Sequence, residues 1–197
     1  MKRQQILDAA YTVFSRKGYH CATVDEIVAL ADTGKGTVYN YFVNKEQLFY
    51  TLIKERSAAF EAKLDITASL AEPPLSKVEK VIKVFLEFYT ANADLWRVLM
   101  HEMRGLGNEE KGLTQAQREK YREKFRHSIS ILEKILQEGI EQGAIRKCDV
   151  HKAAHGLFSV IVMTVFQGCV GQTADSIDAA ARSIADIFLY GVAARHG

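Results

Sequence analysis

Proline is nearly absent from this chain, with two residues in 197, side by side at Pro73 and Pro74. Proline cannot donate within a helix and pushes its predecessor out of helical geometry, so its scarcity leaves room for long helices with one forced break after Glu72. Cysteine is almost as scarce. Cys21, Cys148 and Cys169 are odd in number, far apart and without a CxxC pair, which argues against a disulfide framework and against a zinc site; the three are read as reduced and structural. No run of 18 apolar residues occurs, and residues 1–5 lead straight into an amphipathic pattern rather than the apolar core of a signal peptide. No membrane association is expected, and the expected address is the cytoplasm. Excess charge is small as well. The net charge is +2, and all of it lies in residues 1–56, which hold eight Lys/Arg and six Asp/Glu, whereas the remainder balances at eighteen of each.

What is present is helical periodicity from end to end, with 48% hydrophobic and 25% charged residues and no convincing strand alternation. The first helix is expected over about 3–17, with Ile6, Ala9, Ala10, Val13 and Phe14 on one face, ending at Arg16, Lys17 and a Gly18 cap. Thr23-Val24-Asp25-Glu26 is a capping box that opens a short helix carrying Ile27, Leu30 and Ala31. A break is expected at Asp32-Thr33-Gly34, then another short helix, then a longer one opened by Asn44-Lys45-Glu46-Gln47 with Leu48, Phe49, Leu52, Ile53 and Phe60 inward. Beyond the prolines, helices are expected over about 75–91, 92–104, 114–142, 150–167 and 175–193. The fold class is therefore all-α with about nine helices: an N-terminal three-helix helix-turn-helix domain, residues 1–47, followed by a larger helical domain, residues 48–197.

The stretch "DTGKGTVYNYF", residues 32–42, carries the functional argument. At about 100° per residue, Val38 and Phe42 point inward with Tyr41 near them, while Gly36 and Asn40 point outward, flanked by Thr37 and Tyr39. Tyr41 is open between core packing and an outward role. A face that is small and polar at its centre can approach another molecule closely, and the helix start adds free N–H groups and Lys35, all suited to phosphate. With the capped helix before it, this is a helix-turn-helix whose second helix enters the DNA major groove. Thr23 at the start of the first helix is placed for a phosphate, and Lys45 with the next helix start for another.

Residues 6–49 resemble the DNA-binding domain of the TetR family of transcriptional repressors. The resemblance rests on Gly18-Tyr19 and on "TVDEIVALADTGKGTVYNYFVNKEQLF", which matches the family pattern at Thr23, Val24, Ile27, Ala31, Gly36, Thr37, Val38, Tyr39, Tyr41, Phe42, Asn44, Lys45, Glu46 and Leu48. It departs at Asp32-Thr33-Gly34, where the family usually has Gly-Val-Ser; Asp32 and Gly34 can still serve as turn and N-cap residues, but the phosphate contact that the Ser often makes is not carried over. The resemblance implies that Thr23, Lys35, Thr37, Tyr39, Tyr41 and Lys45 position phosphates, and that Gly36 and Asn40, with Thr37 and Tyr39, lie nearest base edges. It also implies a double-stranded operator, a homodimer and a small-molecule inducer bound between helices of the body, which makes residues 48–197 the ligand-binding and dimerisation domain.

The last two helices suit dimerisation: "AAHGLFSVIVMTVFQGCV" is apolar around most of its circumference, and "SIDAAARSIADIFLYGV" aligns Ile177, Ala181, Ile184, Ile187, Phe188 and Tyr190. The ligand region is expected among Phe85, Phe88, Tyr89, Trp96, Met100, Met103, Phe125, Ile129, Phe158, Met163 and Phe166, which can line an apolar cavity. His151 and His155 share a helix face at metal-ligand spacing, but no third ligand is evident in sequence. His101-Glu102 with His127 lack any nucleophile motif, phosphate loop or cofactor fingerprint. No metal, cofactor or catalytic residue is expected, and the chain is not expected to be an enzyme. The expected function is a repressor released from a palindromic operator by a small, largely apolar inducer. The rival is a helical binding or catalytic protein that keeps the helix-turn-helix as a packing unit.

Overall fold

The computed structural model describes residues 1–103, 115–170 and 176–191. All regular elements among them are helices, in the order α1 (Lys2–Cys21), α2 (Val24–Leu30), α3 (Lys35–Tyr41), α4 (Lys45–Ala68), α5 (Pro74–Ala91), α6 (Ala93–Met103), α7 (Gln115–Glu141), α8 (Val150–Val170) and α9 (Ile177–Tyr190). None of these helices is long and apolar enough to cross a membrane. The helices expected to end at 104 and 193 and to start at 114 and 175 have those ends outside the described residues. Two compact units emerge, one from Met1–Ala58 with Asp94–Arg122 and the other from Ala59–Ala93 with Glu123–Gly197. They do not follow a single cut in the chain, because α4 and α7 each begin in the first unit and end in the second.

In the first unit, Ile6, Ala10 and Phe14 of α1 close over Ile27 of α2, Val38 of α3 and Leu48, Phe49 and Leu52 of α4, all buried. Leu95, Val98 and Leu99 of α6 and Tyr121 of α7 belong to the same core. The regular helix breaks at Gly18, where the sequence pattern predicts its end, although the chain does not leave helical structure there. The Gly18 φ of 76° with ψ of 170° makes a kink, and one more helical turn follows through Cys21. The reason is tertiary: the turn buries Tyr19, whose ring stacks on Phe14 at 5.9 Å and meets Phe49 at 5.0 Å. Thr23 forms the expected capping box, its hydroxyl accepting from the Glu26 N–H while Glu26 accepts from the Thr23 N–H. The turn before α3 runs through Asp32 at φ 44°, a left-handed conformation that aspartate tolerates better than most residues.

In the second unit, α5 starts with Pro74 inside its first turn, where the missing N–H costs nothing, and packs against α8 and α9. Its inward face buries Val78, Val81, Ile82, Phe85, Leu86 and Tyr89. Lys77 on the same face is buried but compensated: its ammonium donates to the Ala68 carbonyl at 3.2 Å and to both Glu138 carboxylate oxygens at 3.1 and 2.9 Å. α7 closes at Gly143 (φ 71°), and the chain folds back so tightly that the N–H groups of Ala144 and Ile145 both donate to Gly139. A Cβ on Gly139 would lie 2.6 Å from Ile145 Cδ1.

Candidate nucleic-acid interface and ligand region

The seven residues of α3 divide cleanly. Val38, with Phe42 just after the helix, is buried against the first-unit core, and Lys35, Gly36, Tyr39, Asn40 and Tyr41 are exposed, with Thr37 between. Tyr39 is 44% and Tyr41 46% exposed, so the alternative left open for Tyr41 resolves outward, its ring resting 6.3 Å from that of Phe42. No neighbouring atom stands within 4 Å of where a Gly36 Cβ would be, so its missing side chain serves no internal packing. The exposed face is thus backbone at Gly36, hydroxyl and amide groups at Thr37 and Asn40, and two phenols.

Cations frame this face unequally. Lys35 reaches back to Asp25 of α2 at 2.7 Å, a pair exposed on both sides, and that hydrogen bond raises its pKa. Exposed pairs of this kind are weak, so a phosphate can compete for the ammonium. Lys17 likewise pairs with Glu26. Lys45 is placed differently from the other candidates. Its ammonium turns inward, donating to the Tyr19 carbonyl at 2.9 Å and the Ala22 carbonyl at 3.2 Å, 4.6 Å from the Tyr19 ring centre. Burial pushes its pKa below the ordinary lysine range, against the pull of Glu102, Cys21 and Glu46. The start of α4 is capped by Asn44, whose side chain accepts from the Gln47 N–H at 2.8 Å.

The eleven residues of the expected ligand region fall into three groups. Phe85, Phe88, Tyr89, Phe125, Ile129 and Phe158 lie in the second unit, five of them in a continuous aromatic cluster: Phe125 meets Phe158 at 4.9 Å, and Phe158 meets Phe85 at 5.8 Å and Tyr89 at 5.9 Å. Phe60, expected only as an inward residue of its helix, is central to the cluster, stacked on Phe88 at 4.2 Å. Trp96, Met100 and Met103 instead pack against the core of the first unit. Met163 and Phe166 point away on α8, 54% and 60% exposed. Two open grooves of about 600 and 510 Å³ lie elsewhere in the second unit, sharing Leu75, Leu189 and Tyr190, and none of the eleven lines either.

The histidines find partners that sequence spacing does not show. Glu133 of α7 reaches His151 Nδ1 at 2.7 Å, and His155 Nδ1 meets the His151 carbonyl at 2.9 Å. His127 pairs with Asp65 at 3.4 Å, whereas His101 and Glu102 sit beside His20.

Residues 6–51 match the family described as bacterial regulatory proteins of the tetR family, and residues 71–165 match the tetracyclin repressor-like C-terminal domain. The chain is 29% identical over 192 residues to the fatty acid metabolism regulator protein of Bacillus subtilis (strain 168), covering 97% of this chain and 95% of that protein. It is 31% identical over 147 residues to the HTH-type transcriptional regulator YfiR of the same organism, covering 72% and 67%. The crystal structure of the transcriptional regulator FadR from Bacillus subtilis in complex with stearoyl-CoA superposes with a TM-score of 0.78 at 27% identity, over 96% of this chain and 99% of that one. A capped helix-turn-helix with an outward polar face, matched in sequence and fold along nearly its whole length, belongs to one group: the chain is a member of the TetR family of DNA-binding, ligand-responsive transcriptional regulators.

Proposed function

We propose that this regulator is a homodimeric repressor that binds a palindromic operator and leaves it when a long-chain fatty acyl-CoA thioester binds. The observation that carries the DNA half is the outward face of α3, where Gly36, Tyr39 and Asn40 are exposed and Thr37 half-exposed while Val38 and Phe42 hold the helix in place. On this reading residues 1–47 read DNA: Gly36 and Asn40, with Thr37 and Tyr39, approach base edges, and Thr23, Lys35 and Tyr41 position phosphates. Lys45 supports this indirectly, by tying the start of α4 to the end of α1. Residues 48–197 bind the effector and form the dimer.

The nature of the effector follows from the stearoyl-CoA bound by the FadR relative and from the aromatic cluster of the second unit. Phe60, Phe85, Phe88, Phe125 and Phe158 supply the apolar contact a saturated acyl chain needs, roughly 0.8 kcal/mol for each methylene taken from water. For the dimer, Val160, Met163 and Phe166 form an exposed stripe on α8, and Ile187 and Tyr190 an exposed pair on α9. Exposed apolar groups of this size mark contact surfaces. The reason to dimerise is that two recognition helices about 34 Å apart read a palindrome that one cannot.

The test is fluorescence anisotropy against a selected duplex library, followed by titration with acyl-CoA thioesters of increasing chain length and with free CoA. Enrichment of a palindrome, and its release by long-chain thioesters but not by CoA, is the expected result. Weak, strongly salt-dependent binding with no preferred sequence would instead favour a helical binding protein that keeps α2 and α3 for packing.

A further inference from the structure

Within the first unit, the ends of α1 and α6 bring His20, His101 and Glu102 together, with one ligand atom from each within 4.8 Å of the other two. Glu102 Oε1 stands 3.0 Å from His20 Nε2 and 3.6 Å from His101 Nδ1. Ligand atoms of a tetrahedral ion with bonds of about 2.0–2.1 Å are separated by about 3.3 Å, so the two distances bracket an edge of such a shell. Hydrogen bonding does not account for the arrangement. Both ring nitrogens of His20 are buried and have no hydrogen-bond partner among the described residues, even though the carboxylate is close. An unpaired buried nitrogen is costly, and an ion on Nε2, the nitrogen beside Glu102, would relieve one of the two. Glu102 is 3% exposed while His101 is mostly exposed, so the cluster is deep on one side and open to solvent on the other.

We propose that His20, His101 and Glu102 form a binding site for a divalent first-row transition ion, of which zinc is the natural probe. Two imidazoles and one carboxylate are a donor set such ions accept, with the open position left to water. The Lys45 ammonium opposes a second cation nearby, but it is held by the Tyr19 and Ala22 carbonyls, which leaves the carboxylate to the histidines. The other triad, Glu133, His151 and His155, differs in the feature that matters. There His151 is already paired with Glu133 and His155 with a carbonyl, and His151 stands in solvent. An ion at His20, His101 and Glu102 would join the end of α1, two residues before the α2 cap, to the end of α6.

The test is calorimetric titration of the tag-free, full-length, chelator-treated protein with zinc chloride, repeated with cobalt(II) to read ligand-field absorption. The His151→Ala protein serves as the reference, so that the exposed triad is silent. About one ion per chain is expected in that background. Glu102→Gln and His101→Ala should each weaken it on the order of tenfold or more, since each removes a direct ligand. His101 is exposed, so its removal leaves the fold intact even if Glu102→Gln does not. Absence of zinc binding in the reference protein, or binding unaffected by His101→Ala, overturns the proposal. So does binding that is abolished by Cys21→Ser but not by His101→Ala, because it would place the ion on the exposed thiol.

Discussion

Asn40 and Lys45 lie five residues apart and make opposite demands on a binding experiment. Asn40 is exposed on α3 with its amide free to face outward, so Asn40→Ala is expected to leave stability within about 0.5 kcal/mol of the parent. Its effect should appear as lost discrimination between operator and random duplex, read by anisotropy against both. Lys45→Ala instead leaves the carbonyls of Tyr19 and Ala22 without their donor and should cost about 1–3 kcal/mol in denaturant unfolding. A drop in its DNA affinity has to be compared with that loss before any of it is assigned to a phosphate. Six of the eight candidate DNA contacts, Thr23, Lys35, Gly36, Tyr39, Asn40 and Tyr41, are exposed, and Thr37 is half-exposed. Lys45 turns inward instead, because the direction of a long side chain is set by whatever acceptors its neighbours from α1 present, and spacing along α4 carries no record of them. Tyr41 stays open in sequence for a related reason: its wheel position is borderline, and only the structure shows Phe42 buried and the Tyr41 ring exposed.

At the scale of the element, α2 is held by a device with a built-in pH dependence. The hydrogen bond from Lys17 and then that from the Thr23 N–H lower the pKa of Glu26 below the ordinary glutamate value. A depressed folded-state pKa means that the associated stability is present above the unfolded value and is lost as pH falls through the folded one. Thermal midpoints measured downward from neutral pH should therefore fall once glutamates begin to protonate, and Glu26→Gln should make that fall shallower. An unchanged slope would mean that the capping box is not among the groups responsible. The box itself was legible because a Ser/Thr-x-x-Glu spacing is local. The extra turn of α1 beyond Gly18 was not, because its cause is the burial of Tyr19 between Phe14 and Phe49, and Phe49 is thirty residues away in sequence. The ligand region shows the same limit. Aromatic content located the cluster of Phe85, Phe88, Tyr89, Phe125 and Phe158, but Trp96, Met100 and Met103 share that composition and belong to a different core.

At the scale of the whole molecule, the proposed dimer and the proposed response to acyl-CoA both follow from where apolar groups are left over. Phe166 on α8 is exposed and lies away from the aromatic cluster, so Phe166→Glu should cost the monomer little while placing two like charges in a symmetric interface. Sedimentation should show a shift toward monomer, and operator affinity should fall with it; a stable dimer would move the interface away from this stripe. The response to ligand has a stricter consequence. α4 and α7 each contribute to both compact units, so a change in the packing of Phe60 or Phe125 occurs on helices that also carry Phe49 or Tyr121 of the DNA-binding core. If acyl-CoA weakens operator binding through such a two-state change, operator DNA must weaken acyl-CoA binding by the same factor, because the coupling free energy is shared between the two ligands. Calorimetric titration of the thioester into free and operator-bound protein gives that factor from one side, and anisotropy with and without thioester gives it from the other. Phe125→Ala should reduce thioester affinity while leaving operator affinity without ligand near its parent value, since Phe125 meets Phe158 in the aromatic cluster proposed for the effector and is not part of the first-unit core. Equal thioester affinity in the free and operator-bound protein would mean that the aromatic cluster binds acyl chains without communicating with α3, and the chain would then be a DNA-binding protein whose release depends on some other signal.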